Sequence, residues 1–275
     1  MRIDSHQHFW KYDSVKHAWI NSEMEVIKKD FLPTDLVPLL KDGKMDGCVA
    51  VQADQSEKET DFLLQYAKEY PFILGVVGWL DLCSKDIEER LINYSKYPKL
   101  KGLRHIVQDE DDDYFMLRPD FLDGISKLGD YGLTYDILIY PKQLPAAVEL
   151  VKMFPKQPFV LDHIAKPNIN GSIDKEWKHH ITELGTFQNV YCKASGMVTE
   201  ASWGTWRPKD FYPYLDIVFE SFGKDRIMFG SDWPVCLLSA QYQKVLCILK
   251  KYLVQFPASV QSRIMGLNAK EFYNL

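Results

Sequence analysis

Eight short segments rich in Val, Ile, Leu and Phe recur along this chain, and an amphipathic stretch follows each. They are Arg2–His6, Gly47–Gln52, Phe72–Leu80, Leu100–Ile106, Leu133–Ile139, Phe159–His163, Val190–Ala194 and Ile227–Ser231. Several are continuous apolar runs, the pattern of strands buried on both faces of a parallel sheet. Helix signals lie between them. Pro33-Thr34 precedes Asp35–Leu40, and Ser56-Glu57-Lys58-Glu59 reads as a capping box in front of Phe62, Leu63 and Tyr66. The remaining helical stretches are Asp86–Tyr94, Asp120–Leu128, Leu144–Met153, Lys175–Leu184, Asp210–Phe222, Gln241–Tyr252 and a closing Ala258–Phe272. Eight strands alternating with helices over 275 residues predict a single-domain α/β fold, a (β/α)8 barrel of the TIM type. An open doubly wound sheet is the competitor, but no glycine-rich phosphate fingerprint follows the first strand. The long segment 9–32 after that strand is a candidate lid. The acidic run Asp109–Asp113 reads as a solvated loop near a pocket mouth.

Charge narrows the partners. The net charge is −5 and no long basic run is present, which argues against nucleic acid and anionic membrane. Lys178-His179-His180 is too short for a basic patch and reads as a helix face. No apolar run approaches the roughly 18 residues that span a bilayer, and the N-terminus lacks the features of a secretory signal. The expected location is the cytoplasm. Cys48, Cys83, Cys192, Cys236 and Cys247 are scattered and free of CxxC spacing, so buried free thiols are expected. Monomer and homodimer are both left open.

Barrel active sites sit at the C-terminal strand ends, and polar residues gather there. The first strand ends with His6 and His8, two residues apart. On an ideal strand Asp4, His6 and His8 share one face. Such a pair can hold a metal, polarise a carbonyl or share a proton; on an edge strand it is merely two surface histidines. The other ends carry Gln52 and Asp54, Trp79 and Asp81, Arg104 and His105, Asp136 and Tyr140, Asp162, His163 and Lys166, Lys193 and Ser195, and Ser231 and Asp232. Helix caps explain one or two such residues but not polar groups at eight ends, because buried polar atoms need partners.

The run DSHQHFW, then GLRH, LDHIAKP, KASG and FGSDWP, resembles the amidohydrolase superfamily, amidohydrolase 2 type. The similarity is to its lactonase branch, which includes L-fuconolactonases, L-rhamnonolactonases and 2-pyrone-4,6-dicarboxylate lactonase. The resemblance implies that His6 and His8 are the paired histidines, His163 the strand 6 histidine and Asp232 the strand 8 aspartate. Arg104 resembles the strand 4 arginine of the lactonases. His105 beside it faces the other way on an ideal strand, yet at a strand end a direct role stays open. Two departures from the binuclear members stand out. Leu133–Ile139 holds no histidine, and strand 4 ends in an arginine, which cannot ligate a metal. Lys101 lies too far back on strand 4 to substitute. His6, His8, His163 and Asp232 would still suit one zinc or other divalent ion. The lactonase resemblance favours a site that requires no metal.

The expected activity is hydrolysis of a sugar-acid lactone, such as L-fuconolactone or L-rhamnonolactone. Asp232 would act as general base on water, and the histidines with Arg104 would stabilise the oxyanion. Expected substrate contacts are Trp79, Tyr140, Trp233, Lys193 and His105. For the aromatics, including Trp203 and Trp206, core or lid packing is the alternative; for Lys193 it is a buried pairing with Asp136 or Asp162. The rival on the same scaffold is a zinc-dependent decarboxylase or another metal-dependent hydrolase. A non-catalytic sugar-acid binder would usually have lost the base or the histidines, and both are retained.

Overall fold

The computed structural model describes residues 1–275. Its strands are β1 (Ile3–Gln7), β2 (Gly47–Val51), β3 (Ile73–Gly78), β4 (Leu100–His105), β5 (Thr134–Ile137), β6 (Phe159–Leu161), β7 (Val190–Ala194) and β8 (Ile227–Phe229). Each pairs in parallel with the next, in the order of the chain. The barrel closes where His8 N donates to Trp233 O (2.7 Å) and Asp232 N donates to His6 O (2.8 Å). Three expected catalytic residues, His6, His8 and Asp232, therefore lie on the closing seam.

The outer ring comprises α1 (Pro33–Gly43), α2 (Glu57–Glu69), α3 (Ile87–Tyr94), α4 (Pro119–Leu128), α5 (Leu144–Met153), α6 (Lys175–Thr186), α7 (Tyr212–Phe222) and α8 (Tyr242–Leu253). The large apolar core lies between this ring and the barrel wall. A smaller one fills the lower barrel, where Ile3, Val49, Val51, Val77, Val160 and Met228 pack on Ala269, Phe272 and Tyr273. The chain's C-terminus thus plugs the floor. The single closing helix expected over 258–272 is instead α9 (Ala258–Ser262), a wide turn over 263–267 and α10 (Asn268–Phe272). The cause is close approach: a Cβ at Gly266 would stand 2.4 Å from Met1 O, so the helix opens to admit the N-terminal backbone.

Other elements depart from expectation for identifiable reasons. β6 and β8 end at Leu161 and Phe229, not His163 and Ser231. His163 already has a left-handed backbone (φ 54°), and Ser231 N is drawn to Asp4 Oδ1 (2.9 Å). The capping box of α2 is half formed. Ser56 Oγ accepts from Glu59 N (3.3 Å), but the Glu59 carboxylate accepts from Asp54 N (3.0 Å) and Ala53 N instead of its own cap. The segment 9–32 folds back through a bridge between Trp10 and Phe31, with a short 3-10 helix over Ser22–Ile27. No helix is long and apolar enough to cross a membrane. All five cysteines are free thiols.

Candidate active site

A cavity of about 420 Å3 opens at the C-terminal end of the barrel. His8, Arg104, His163 and Asp232 line its floor, and Trp19, Met24, Tyr140, Lys166, Glu200 and Trp203 are among its walls. Four of the five expected catalytic residues thus face one space. The fifth, His6, is wholly buried just beneath.

The first strand supplies the two histidines in a way that strict alternation does not. The register of β1 slips between Asp4 and Gln7, so Asp4 leaves the histidine face. Its carboxyl is buried beside Tyr242 of α8, and burial pushes its pKa up to about 6. His8 Nδ1 lies 2.8 Å from Val51 O. A carbonyl only accepts, so the ring proton sits on Nδ1 and Nε2 turns to the cavity. There His8 Nε2 is 3.2 Å from His6 Nε2 and 3.3 Å from Asp232 Oδ1. His6 Nε2 and His163 Nε2 are each 3.9 Å from the same carboxylate oxygen.

His163 reaches this cluster through an unusual backbone. His163, Ile164, Ala165 and Lys166 all have φ between 49° and 58°. For non-glycine residues that costs roughly 1–2 kcal/mol each. Burial of Ile164 and Ala165, and a hydrogen bond from Trp177 Nε1 to Ile164 O (2.8 Å), help hold the turn. It aims His163 inward and sets Lys166 on the wall. Ser195 Oγ lies 2.9 Å from His163 Nδ1 and fixes the ring. Gly196 makes room for it: its φ is 63°, and a Cβ there would stand 2.5 Å from His163 Nδ1. Asp232 is itself left-handed (φ 57°), which turns its carboxylate in at the end of β8.

Beneath the histidines lies a buried ion network. Lys193 Nζ contacts Asp136 Oδ2 (2.5 Å), Asp162 Oδ1 (2.9 Å) and His6 Nδ1 (3.1 Å). Arg104 donates to Asp162 Oδ2 (3.1 Å) and Gln52 Oε1 (2.8 Å), and its Nη1 is 3.3 Å from His6 Nε2. Tyr273, from the chain's end, closes the network by donating to Asp136 Oδ2 (2.8 Å). Two carboxylates face two cations, so burial is compensated pair by pair.

Burial sets the titration of the imidazoles. It pushes His6 well below its ordinary range, helped by the nearby Lys193 charge, and it lowers His163 to about 4. Burial also works to raise Asp232 and Asp162. Asp232 is nonetheless lowered by His163, by His8 3.3 Å away and by Lys166. Asp162 is held well below the carboxylate range by Lys193, His6 and Arg104. At neutral pH the site therefore presents an ionised Asp232 beside an uncharged His163.

The expected substrate contacts divide. Tyr140 lines the cavity. The others do not. Trp233 is 2% exposed and packs edge-on against Phe9 and Phe31. Lys193 is in the network below, so the buried pairing is the one formed. Trp79 Nε1 is 3.3 Å from His105 Nδ1, and His105 stacks on Phe115 and meets Glu110 Oε1 at 2.7 Å. Both sit on the outward side of β3 and β4, where alternation along β4 puts His105 opposite to Arg104. The sequence reading gave no role to Glu200 or Lys166, although Lys166 lies within the LDHIAKP motif. Trp19 and Met24 bring the segment 9–32 to the cavity wall.

His6 Nε2, His8 Nε2 and Asp232 Oδ1 lie within 4.8 Å of one another, and His6, Asp162 and His163 form a second such set. Lone pairs that converge in this way need a shared proton or a cation, so His6, His8, His163 and Asp232 fit one divalent ion. An L-fucono-1,5-lactonase of Burkholderia multivorans is 37% identical over the whole of this chain and 96% of its own length. Its counterpart from Burkholderia ambifaria is 34% identical over the same shares. A crystal structure of an amidohydrolase from Burkholderia multivorans with bound zinc superimposes with a TM-score of 0.96 at 37% identity, covering all of this chain and 99% of the other. The amidohydrolase profile matches residues 3–275, from the first residue of β1 to the plug beneath the barrel, and the chain belongs to that family.

Proposed function

We propose that this enzyme hydrolyses the lactone of a sugar acid, opening its ring by attack of water on the ester carbonyl. The observation that carries the reading is an ionised Asp232 beside His8, His163 and the Arg104 guanidinium at the floor of one cavity. The named activity of the 37% identical relative supports it. Asp232 takes a proton from the attacking water. The charge that grows on the carbonyl oxygen is stabilised by Arg104 and the imidazoles. The ring C–O bond then breaks, and the proton held by Asp232 passes to the departing ring oxygen, giving the hydroxy acid. Lys193 and Asp162 touch no substrate; they fix His6 and Arg104 from below. The segment 9–32 acts as a lid, with Trp19 and Met24 over the ring.

A divalent ion held by His6, His8, His163 and Asp232 would polarise the carbonyl and lower the pKa of bound water. We favour turnover without a required ion, because Arg104 already brings a fixed positive charge to within 3.3 Å of His6 Nε2. The decisive test is Asp232→Asn with freshly generated aldonolactone. Loss of the general base should lower kcat by about 10²–10⁴ while the fold is kept. Near-normal turnover by that variant would remove Asp232 from the reaction.

A further inference from the structure

The cavity walls carry charges that the ring-opening step does not use. Glu200 is the foremost. Its backbone is tied down on both sides: Glu200 N donates to Met197 O (3.2 Å), and Ile169 N donates to Glu200 O (2.9 Å), locking the loop after β7 to the loop after β6. Its carboxylate faces the cavity with a single long hydrogen bond, from Thr199 Oγ1 at 3.4 Å. A carboxylate has about four acceptor positions, so most of Glu200's capacity is free. Asp109 lines the same cavity nearer the mouth, and Asp232 lies at its floor.

Against these three carboxylates stand two cations, Arg104 and Lys166. Arg104 is ion-paired with Asp162 and, in the proposed reaction, serves the lactone carbonyl at the floor. Lys166 has no ion-pair partner and sits 5.3 Å over the Tyr140 ring. An anionic substituent on a bound ring would thus meet one available cation among three carboxylates, in a site partly shielded from water. A hydroxyl in the same place donates to Glu200 at no electrostatic cost.

We infer that Glu200 is a specificity-determining residue: it accepts hydrogen bonds from the hydroxyls of an uncharged polyhydroxylated lactone and rejects lactones that carry a carboxylate. The inference rests on the lactone reading for the ring that fills the cavity, and it narrows that reading to neutral aldonolactones. The same wall repels the product, because ring opening creates a carboxylate where a neutral ester was bound.

Binding separates this from catalysis. The probes are a neutral aldonolactam and the corresponding lactam bearing a terminal carboxylate, neither of which turns over, titrated calorimetrically into wild type and Glu200→Gln. Wild type should prefer the neutral ring by about tenfold or more, equivalent to about 1.4 kcal/mol. Glu200→Gln should shrink that preference about tenfold, by weakening the neutral ring and relieving the charged one. Equal binding of both rings by wild type, a preference for the carboxylated ring, or binding of neither overturns the inference without needing any variant. An unchanged ratio in a folded Glu200→Gln overturns it as well. A protein that binds the neutral lactam with the expected preference but opens no lactone would keep this inference and lose the proposed reaction.

Discussion

Lys193 Nζ lies 3.1 Å from His6 Nδ1, on the opposite side of the ring from Arg104 Nη1, which is 3.3 Å from His6 Nε2. Both partners can only donate, and a neutral imidazole has one accepting nitrogen. A protonated ring would have none, so the two cations together exclude the imidazolium. Asp162 Oδ1, 3.3 Å from Nδ1, offers the alternative partner for a proton on that nitrogen. His6 is therefore a neutral ring whose tautomer is set by the balance between Lys193 and Asp162.

Lys193→Met tests that balance. The variant leaves Asp136 and Asp162 sharing only Arg104 and the Tyr273 hydroxyl, an uncompensated buried charge that typically costs about 3–5 kcal/mol. Urea unfolding should show that loss. The ring should then settle with its proton on Nδ1 toward Asp162. Nitrogen NMR of labelled histidine should report the change of tautomer, and zinc affinity should rise because Nε2 keeps its lone pair. An unaltered tautomer with normal stability would show that Lys193 is a bystander.

Acidification should separate stability from activity. The folded pKa of His163 is lowered by burial to about 4 against an ordinary value of 6.5, and burial also holds His6 well below that ordinary value. At His163 the unfolded chain therefore binds more protons than the folded one between about pH 6.5 and 4, and this contribution to stability falls as pH falls through that window, while Asp4 and Asp136, raised to about 6, and Glu59, raised to about 7, work in the opposite sense. His163 alone accounts for about 3 kcal/mol at the acid end, at 1.36 kcal/mol for each of about 2.5 units. Asp232, held below the usual carboxylate range, stays ionised across the same window. The urea midpoint of wild type, relative to that of a folded His163→Asn variant, should drop between pH 7 and 5 while kcat/KM of folded wild type stays level. An acid limb in kcat/KM near pH 6.5 would assign a protonatable imidazole to the reaction instead.

The chain's own pattern made the barrel readable, because parallel strands buried on both faces are continuous apolar runs. β7 was read to the residue, while β6 and β8 end early where the backbone turns left-handed at His163 and Asp232. Those turns are specified by tertiary contacts, Trp177 on Ile164 and Ser195 on His163, which no local propensity reveals. His6, His8, Arg104, His163 and Asp232 were legible because barrel topology sends strand ends to one rim. Trp79 and His105 were misjudged as cavity residues because a strand end does not say which side a ring takes. Tyr273 was invisible as part of the ion network, since it reaches Asp136 across 137 positions of sequence. Asp4 left the histidine face through a slip in register that the pattern does not encode.

Arg104 decides the last expectation. The guanidinium is held by Gln52 and Asp162 so that Nη1 meets His6 Nε2, one of the atoms that a metal would need. A dication at that point would stand close to a fixed positive charge, and at an effective dielectric of 20 two like unit charges 4 Å apart repel by about 4 kcal/mol. Exhaustive chelation should therefore leave lactone turnover largely intact, as followed by acid release at constant pH. Arg104→Met should lower kcat by about 10²–10³, the usual cost of removing one donor to a developing oxyanion, and should at the same time strengthen zinc binding. Loss of wild-type activity on chelation, with recovery on adding zinc, would transfer the charge-stabilising role from Arg104 to an ion held by His6, His8, His163 and Asp232.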